Sequence, residues 1–480
     1  MSIQEDISSA RRASAYESFG ETPANVATAS TESTGDHAAE DNSVIVLKSC
    51  PQIQASRRER GTPLAGAVFI VVNACLGAGL LNFPAAFQGA GGNAVGVSME
   101  VIFLVFGAVA ALIMAYCSDL FRVSTYQDVV QTVCGHNFGI LCDLAIILYT
   151  FGTCITFIII VGDQVDKVMQ WAAGVDFCYH WYMNRKFTMS VISILIILPL
   201  CIPKDIGFQK YASFLGVASI LYVTVIVSVK YYIGGYPTAD VVTSPKTFTD
   251  VFIAVPTVCF GFQYHISAVP VYASMRKRNL GSLSVVMFFA MVIAMLVYTV
   301  TGVYGGLTFG SSVTSDVLLS YDANDISVTI GRAALTLDIL TSYPILHFCG
   351  RTVLDGFYVR WRRLSAEDNL RQEFVRRVVQ TMAWFWLSLF FAIMIPNIGL
   401  VISVIGGLAA VFIMVFPGFC LIQAVLLQQP SDNVHKDRAL LVLGVLYVFL
   451  GTLILGENTA LAIIDDMNGK NSLKQICTVP

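Results

Sequence analysis

The stretch Asn73-Ala-Cys-Leu-Gly-Ala-Gly-Leu-Leu-Asn-Phe-Pro84 decides how the whole chain is interpreted. It places two glycines, two asparagines and a proline inside a segment that is otherwise hydrophobic enough to cross a membrane. In hydrocarbon every backbone N–H and C=O has to be hydrogen-bonded within the protein, so an interrupted helix is tolerated only where it lines a cavity or meets another helix. We therefore predict a broken transmembrane helix that holds a ligand.

The composition indicates a membrane protein with many spans. Of the 480 residues, 56% are hydrophobic and only 13% are charged, whereas soluble domains contain about 25% charged residues. The net charge of -3 argues against nucleic acid as a partner. Residues 1–60 contain no apolar run that resembles a secretory signal, so we expect the first span to act as an uncleaved insertion signal.

From Leu64 onward, apolar stretches follow one another at about the 20 residues that a helix needs to cross the hydrocarbon core. They predict an all-α polytopic fold with eleven transmembrane helices, an odd number that places the two termini on opposite sides. The expected spans are 64–90, 94–117, 138–161, 187–203, 212–233, 250–272, 283–307, 328–350, 376–395, 398–422 and 439–463.

Basic residues in the loops predict the orientation. Cytoplasmic loops of membrane proteins are enriched in lysine and arginine. A cytoplasmic N-terminus places the denser basic clusters on the inner side, including Arg57, Arg58, Arg60, Arg276, Lys277, Arg278, Arg360, Arg362, Arg363, Arg371, Arg376, Arg377, Lys436 and Arg438. We therefore expect a disordered cytoplasmic tail at 1–60, an eleven-helix domain at 61–463 and a short C-terminal tail at 464–480 on the other side.

A second interrupted span occurs five spans after the first, at Val255-Pro-Thr-Val-Cys-Phe-Gly-Phe-Gln-Tyr-His265. Transporters built on inverted repeats bind substrate near the membrane midplane, between two discontinuous helices in corresponding positions of the two halves. Breaks in the first and sixth of eleven helices fit a five-plus-five inverted repeat with one added helix. No metal-ligand spacing, phosphate loop or nucleophile elbow occurs, so we do not expect an enzyme or a bound cofactor.

The two breaks predict a site for an amino acid. Free N–H groups at the start of a half-helix attract a carboxylate, and free carbonyls at the end of the other half attract a cation. Glycine also lets a ligand approach the backbone closely. The predicted substrate-binding residues are Cys75, Leu76, Gly77, Ala78, Gly79, Leu80, Phe260, Gly261, Phe262 and Gln263.

The alternative interpretation is that the small residues of the first break form a surface on which another helix packs. It explains the glycines but not Asn73, Asn82 and Pro84 beside them.

Polar residues of the eighth span suggest a cation site. Asp338, Thr341 and Ser342 share one helix face and can offer oxygen ligands to a sodium ion opposite Asn73. The alternative is that Thr341 and Ser342 bond to their own backbone, as such residues commonly do in spans.

Other ionisable residues within the predicted spans are functional candidates because burying them in a membrane is costly. They are Glu100, Asp143, Asp338 and Glu457. His265 and His347 are candidates for proton coupling, since histidine titrates nearest to the pH of an acidic compartment. A hydrogen-bonded structural histidine is the alternative for each.

The cysteines do not predict a disulfide scaffold. Eight of the twelve lie inside apolar runs, which is typical of buried small hydrophobic residues. They are Cys75, Cys117, Cys142, Cys154, Cys201, Cys259, Cys349 and Cys420. Cys178 and Cys477 fall in polar segments that the topology puts on one side, and a bridge between them stays open.

The residues assembled above resemble the sodium-coupled neutral amino acid transporters of the amino acid/auxin permease group. The resemblance runs from about residue 62 to residue 463. It is carried by the stretches Ile70–Phe87, Tyr149–Ile155, Ile206–Phe214, Leu340–Arg351 and Val401–Ala410.

This resemblance implies a substrate, a direction and an ion site that periodicity alone does not indicate. The substrates are glutamine and asparagine, moved from the lysosomal lumen to the cytosol by alternating access. By position, Asn73, Thr341 and Ser342 match residues that relatives use for sodium. Whether sodium or protons drive transport stays open, and so does an alternative function as an amino-acid sensor that recruits sorting or signalling partners through its cytoplasmic tail.

Overall fold

The computed structural model of the protein describes residues 61–174, 180–203, 209–236, 240–363, 365–395, 397–428 and 434–467. The predicted tail at 1–60, the Cys178–Cys477 pair and nearly all of the predicted C-terminal tail lie outside the described residues, so these predictions stay open. The described chain is helical, and its only β-type pairing is an isolated bridge between Thr62 and Met275.

The α-helices of the described chain are numbered here in order along the sequence. They are α1 (Leu64–Cys75), α2 (Phe83–Gly89), α3 (Asn93–Phe121), α4 (Tyr126–Cys134), α5 (His136–Ala173), α6 (Arg185–Ile192), α7 (Leu198–Cys201), α8 (Gln209–Ile233), α9 (Val255–Gly261), α10 (His265–Ser274), α11 (Leu280–Phe309), α12 (Val317–Ser320), α13 (Ile326–Arg362), α14 (Ala366–Met394), α15 (Ile398–Ala410), α16 (Phe416–Leu427) and α17 (Val434–Met467). Single π-helical turns join α6 to α7 and α15 to α16.

The first predicted span is broken where its sequence indicates. Helix α1 ends at Cys75, and Leu76 and Gly77 are extended, with φ/ψ of -68°/113° and -157°/-168°. A 3-10 turn over Ala78–Asn82 then leads into α2, which has Pro84 in its first turn. The two halves are bent by 48°. The proline restarts the helix because its missing N–H is not needed there.

The second predicted break is also present. A 3-10 turn over Phe248–Ala254 runs into α9, which starts beside Pro256 and ends at Gly261. Phe262, Gln263 and Tyr264 then form a short non-helical link before α10 begins at His265. Both predicted discontinuous helices are therefore confirmed as broken.

Eight helices of the described chain are long and apolar enough to cross a membrane, and the bent pair α1–α2 makes a ninth. The sequence predicts eleven spans. The two that do not reach this standard, 187–203 and 328–350, are nevertheless helical. The first is divided by a π turn, and the second, in α13, carries the charged residues Arg332 and Asp338 and ends just before Arg351.

The sequence predicts an amphipathic connector, or alternatively a solvated linker, at 351–375, and this segment is largely helical. Helix α13 continues to Arg362, and α14 starts at Ala366 after a short turn. Ser365 caps α14 by accepting a hydrogen bond from the backbone N–H of Asp368. The two long helices therefore extend beyond the predicted spans as one helical hairpin.

The cysteine prediction holds with one exception. All nine cysteines of the described chain are free, and seven of the eight assigned to apolar runs are buried. Cys349 is exposed on the surface of the bundle. In α13 it therefore lies on the face opposite to the buried packing of that helix.

Helix α15 packs on α9 through a glycine. A β-carbon built on Gly406 would lie 2.1 Å from the carbonyl oxygen of Pro256. The Gly406→Ala variant should lose stability, because overpacking costs about 1–3 kcal/mol and exceeds the gain of about 1 kcal/mol from alanine in a helix. Its melting temperature in detergent should fall below that of the wild type.

Gly456→Ala is the matched control, since a β-carbon there meets no atom within 4 Å. It should melt at or slightly above the wild-type temperature. Equal melting temperatures for the two variants would contradict the close packing of α15 on α9.

Candidate functional site

The two helix breaks lie directly against each other. A β-carbon built on Gly79 would lie 3.0 Å from Cδ1 of Phe260 and 3.5 Å from Cα of Gly261. A β-carbon on Gly261 would lie 2.9 Å from Cε2 of Phe83, at the start of α2. Glycine at both positions therefore allows the two interrupted backbones to approach each other.

A tyrosine from a third helix joins the breaks. The hydroxyl of Tyr298 on α11 donates to the carbonyl of Cys75 at 2.6 Å and is 3.2 Å from the carbonyl of Gly261. These are the last residues of α1 and α9, whose carbonyls have lost their helical partners. The Tyr298 ring also stacks on Phe83 with centroids 4.3 Å apart. Sequence reasoning missed Tyr298 because a tyrosine in an apolar span carries no local signal of this role.

The two glycines of the first break have different surroundings. A β-carbon on Gly77 would have no neighbour closer than the Cys75 carbonyl oxygen at 4.0 Å, so this backbone opens on free space. The first hydrogen bond of the 3-10 turn runs from the N–H of Leu80 to the carbonyl oxygen of Gly77 at 3.1 Å. The N–H groups of Ala78 and Gly79 come before this bond in the chain. Gly79 is used for packing, as the alternative interpretation proposes, whereas no side chain lies within 4 Å of a β-carbon built on Gly77, whose N–H faces the Tyr298 hydroxyl.

The remaining predicted substrate residues surround this junction and are buried. They are Cys75, Leu76, Ala78, Leu80, Phe260, Gly261, Phe262 and Gln263. Two polar groups of the second break lack hydrogen-bond partners among the described residues, the Gln263 Nε2 atom and the Tyr264 hydroxyl. Buried polar groups are usually hydrogen-bonded, so these two are available to a ligand or to water.

His265 has the surroundings of a neutral structural histidine. Its Nε2 lies 3.0 Å from the carbonyl of Gly107, and its Nδ1 lies 3.3 Å from the amide of Gln263. A neutral ring carries one N–H, and Nε2, which faces the Gly107 carbonyl, is the nitrogen placed to donate it. His265 also packs face to face with Tyr264.

His347 differs from His265 because it is fully buried and neither ring nitrogen has a hydrogen-bond partner in the described part of the chain. It lies on α13, in the turns that follow the predicted cation ligand Ser342, and packs between Tyr343 and Trp384. Its role in proton coupling stays a prediction.

A cavity of about 160 Å³ opens beyond the breaks, on the side of α2. It is lined by Asn82, Ala85, Ala86, Ile253, Thr257, Ser315, Asn397, Gly399, Leu400, Ser403 and Ala462. Asn82 donates to the Thr257 hydroxyl at 2.8 Å across its wall. Asn82 therefore ties the two broken helices together on this side.

The other end of the bundle carries Arg276, Lys277, Arg278 and Arg360 and is called here the basic end. It is closed between α1 and α10, where Thr62 N–H donates to Ser274 O and Arg276 N–H donates to Thr62 O, both at 2.9 Å.

An ion pair adds a second contact at the basic end. Arg278 Nε lies 2.9 Å from Asp119 at the end of α3, and Asp119 also accepts from the Tyr272 hydroxyl. The broken helices are thus held together at the basic end while a cavity opens at the opposite end.

Asn73 lies next to α8 rather than next to the predicted ligands of α13. Its Nδ2 donates to the Ser213 hydroxyl at 3.1 Å. One turn further along α8, a β-carbon on Gly216 would lie 2.5 Å from Asp338 Oδ1, so the Asp338 carboxylate rests on this helix. Ser342 donates to the same Oδ1 at 3.0 Å. The oxygens of Ser213, Asp338 and Ser342 therefore follow one edge of α8.

Thr341 donates to its own helix, at 2.9 Å to Asp338 O and 3.2 Å to Leu337 O. No hydrogen bond joins Asn73 to Thr341 or Ser342 among the described residues. A threonine hydroxyl that gives its proton to the backbone keeps its lone pairs free, so this arrangement remains compatible with a cation ligand. Ser213 was missed because its closeness to Asn73 arises from tertiary packing.

Two further ionisable candidates from the sequence have ordinary structural surroundings. Asp143 forms an ion pair with Arg360 at the basic end, so a structural role is enough to explain a charged residue at this position. Glu457 is half-buried. The described residues contain no group of three or more His, Cys, Asp or Glu side chains that can hold a metal ion. The predicted sodium site has one carboxylate and otherwise neutral oxygens, so it does not require such a group.

Comparison with known proteins identifies close relatives. Residues 60–456 match the family described as transmembrane amino acid transporter protein. Sodium-coupled neutral amino acid transporter 7 of Danio rerio is 50% identical over 431 residues, covering 88% of this chain and 92% of its own length. The Homo sapiens protein of that name is 50% identical over 422 residues, covering 85% and 90% respectively.

A more distant relative is solute carrier family 38 member 8 of Homo sapiens, which is 38% identical over 410 residues and covers 83% of this chain and 93% of its own. Among solved structures, that of MhsT in complex with L-phenylalanine is similar with a TM-score of 0.49 and 13% identity. The similarity covers 82% of this chain and 98% of MhsT.

Tyr298→Phe tests the link between the breaks. Removing the hydroxyl leaves two buried carbonyls, Cys75 O and Gly261 O, without this donor, which should cost about 1–3 kcal/mol, while the stacking on Phe83 is kept. Backbone amides near the breaks should exchange with deuterium faster than in the wild type, as measured by mass spectrometry.

Tyr304→Phe on the same helix is the control, because its hydroxyl pairs with Tyr232 at an exposed position. Exchange near the breaks should be unchanged in this variant. If Tyr298→Phe also exchanges at the wild-type rate, the two breaks are not held by the hydroxyl.

Proposed function

This chain belongs to the transmembrane amino acid transporter family and is not an enzyme, and from that premise we propose that it is a secondary active transporter of the amide amino acids glutamine and asparagine. It carries them from the lysosomal lumen to the cytosol across a membrane that it crosses many times. The observation that carries this proposal is the pair of broken helices held together around the open backbone at Gly77. The names of the relatives, neutral amino acid transporters, support the substrate class.

The proposed architecture has eleven spans in a five-plus-five inverted repeat with one added helix. Counting the bent pair α1–α2 as one span, the helices that satisfy length and hydropathy supply nine. The helical segment from Arg185 to Cys201 and the long helix α13 supply the other two. The charges of α13 do not oppose this count, because Arg332, Asp338 and Arg351 are all buried within the protein.

The proposed binding mode uses each half of the first break for one charge of the amino acid. The carboxylate approaches Gly77 and the N–H groups of Ala78 and Gly79, which precede the first bond of the 3-10 turn. The ammonium group is attracted by carbonyls at the ends of α1 and α9. The unpartnered Gln263 amide and Tyr264 hydroxyl are suited to the side-chain amide of glutamine or asparagine.

The proposed transport cycle alternates access between the two ends of the bundle. The contacts of Thr62 with Ser274 and of Asp119 with Arg278 close the basic end, which we assign to the cytosol. The cavity beside Asn82 faces the lumen. Release to the cytosol requires these contacts to open while the Asn82–Thr257 region closes, with α1–α2 and α9–α10 moving about the site.

The coupling ion in this proposal is sodium or a proton. Sodium would be held by oxygens of Asn73, Ser213 and Asp338, with Thr341 and Ser342 completing the site from α13. The names of the relatives, sodium-coupled transporters, support this choice. A proton would require an ionisable side chain whose surroundings change during the cycle.

Glutamine counterflow into proteoliposomes tests both the activity and the binding mode. Wild-type protein should exchange labelled glutamine, and Gly77→Ala should reduce that exchange at least tenfold. Extended backbone at residue 77 accepts alanine and no atom lies close enough to clash, so the loss should reflect the methyl group in the path of the carboxylate.

The matched variant is Gly79→Ala, whose methyl group would lie 3.0 Å from Phe260. It should lower the melting temperature, whereas Gly77→Ala should not. Wild-type exchange in Gly77→Ala would contradict the proposed carboxylate site, and no exchange by stable wild-type protein would contradict the proposed function itself.

Asn73→Ala tests the sodium site. Glutamine uptake driven by an imposed sodium gradient should be lost, because the side chain nearest to Ser213 is removed, while the protein level and melting temperature persist. Asn137→Ala, at an exposed position of α5, is the control and should keep the response to sodium. Undiminished sodium-driven uptake in Asn73→Ala would remove Asn73 from the site.

A further inference from the structure

Glu100 is a fully buried carboxyl group to which the transport cycle above gives no task. It lies on α3 with 0% of its surface exposed. Its Oε2 accepts a hydrogen bond from the Thr299 hydroxyl at 2.7 Å, and its Oε1 has no partner among the described residues. None of the ion pairs in the described ranges includes Glu100.

The other acidic side chains of the membrane helices have an evident partner or an evident exit. Asp143 is paired with Arg360, and Asp163 with Arg185. Asp338 accepts from Ser342 beside the proposed sodium site. Glu457 is only half-buried. Asp166 is buried on α5 with its Oδ1 unpartnered among the described residues, but Arg185 lies close enough to act on it. Glu100 therefore stands apart as a carboxyl that is buried, has no basic neighbour and lies outside the sodium site.

These surroundings determine its protonation state in this conformation. An ionised carboxylate inside a membrane protein costs several kcal/mol unless a cation or several donors compensate it. A single neutral hydroxyl, from Thr299, does not. The neighbouring titratable group, Tyr298 on α11, is itself neutral near pH 7. His265 faces Gly107 further along α3. Glu100 therefore carries a proton here.

Glu100 is also placed to respond to movement of the broken helix. Its partner Thr299 is the next residue after Tyr298, whose hydroxyl holds the ends of α1 and α9. One turn before Glu100, a β-carbon on Gly96 would lie 2.2 Å from the Phe87 ring of α2. Any shift of α2 against α3 and α11 therefore changes the packing around this carboxyl and can admit water.

We propose that Glu100 is the proton-binding site that couples a pH gradient to transport. This proposal rests on the proposed function and names its coupling ion. Glu100 takes up a proton while the cavity at the side of α2 is open and loses it when the basic end opens. On release the O–H bond of the carboxylic acid breaks, the electron pair stays on the carboxylate and water takes the proton. Uptake from the lumen reverses this step.

The ratio of proton flux to glutamine flux tests this assignment. A pH-sensitive dye and labelled glutamine are followed in the same proteoliposomes. A pH profile alone would not be specific, because burial raises the pKa of Asp316, in the loop before α12, to about 7. In Glu100→Gln the ratio should fall at least tenfold, whereas Glu100→Asp should retain proton flux.

Glu457→Gln is the control and should keep the wild-type ratio. His265→Gln and His347→Gln test the two competing sites, and loss of the ratio in either, together with a normal ratio in Glu100→Gln, would overturn the proposal. Wild-type protein that carries glutamine without protons would also overturn it and leave the proposed function standing. Wild-type protein that carries no glutamine would overturn the function instead.

A second measurement covers the case in which Glu100→Gln is folded but inactive. The infrared spectrum of the wild type at neutral pH should contain the carbonyl band of a protonated carboxylic acid that is missing from the Glu100→Gln spectrum. The band should disappear from the wild type when the protein is trapped open at the basic end. An identical band in both proteins would show that Glu100 does not hold the proton.

Discussion

The hydrogen bonds from Tyr298 to Cys75 O and Gly261 O are the interaction on which the site depends. A broken helix in a membrane leaves carbonyls that water cannot reach, and each has to find a donor. One hydroxyl lies within reach of both breaks, so α11 holds the two ends in a single place. The breaks can then be stable without a ligand while Gly77, one step further along the chain, stays open.

The breaks themselves were predictable from the sequence, because glycine, proline and asparagine stand out in an apolar span. Pro84 and Pro256 each lie in the first turn of a half-helix. The partners of the two asparagines were not predictable. Asn82 bonds to Thr257 and Asn73 to Ser213, residues that are 175 and 140 positions away. Only tertiary packing brings them together, and single-sequence patterns do not contain it.

Helix lengths were predicted less well than helix positions. Hydropathy indicates where a chain leaves the hydrocarbon core of the membrane. A helix can continue beyond that point, because its ends are set by backbone hydrogen bonds and capping residues. This is why α13 and α14 extend past the predicted spans and meet in a short turn capped by Ser365. Charged residues in the buried face of α13 lower its hydropathy without excluding it from the membrane. A strict standard of length and hydropathy therefore accepts nine spans of the described chain, two fewer than the apolar stretches of the sequence predict.

The polar groups flank the first break from two sides, and this arrangement explains how an ion can act on it. Ser213 connects Asn73 to the edge of α8 that carries Asp338, while Glu100 contacts the residue beside Tyr298. A ligand shifts a conformational equilibrium only through a difference in affinity between the two states. A carboxyl that is dry in one state and hydrated in the other supplies such a difference, and each unit of pKa separating the states is worth about 1.4 kcal/mol. Glu100 can therefore bias the opening of the break without touching the amino acid.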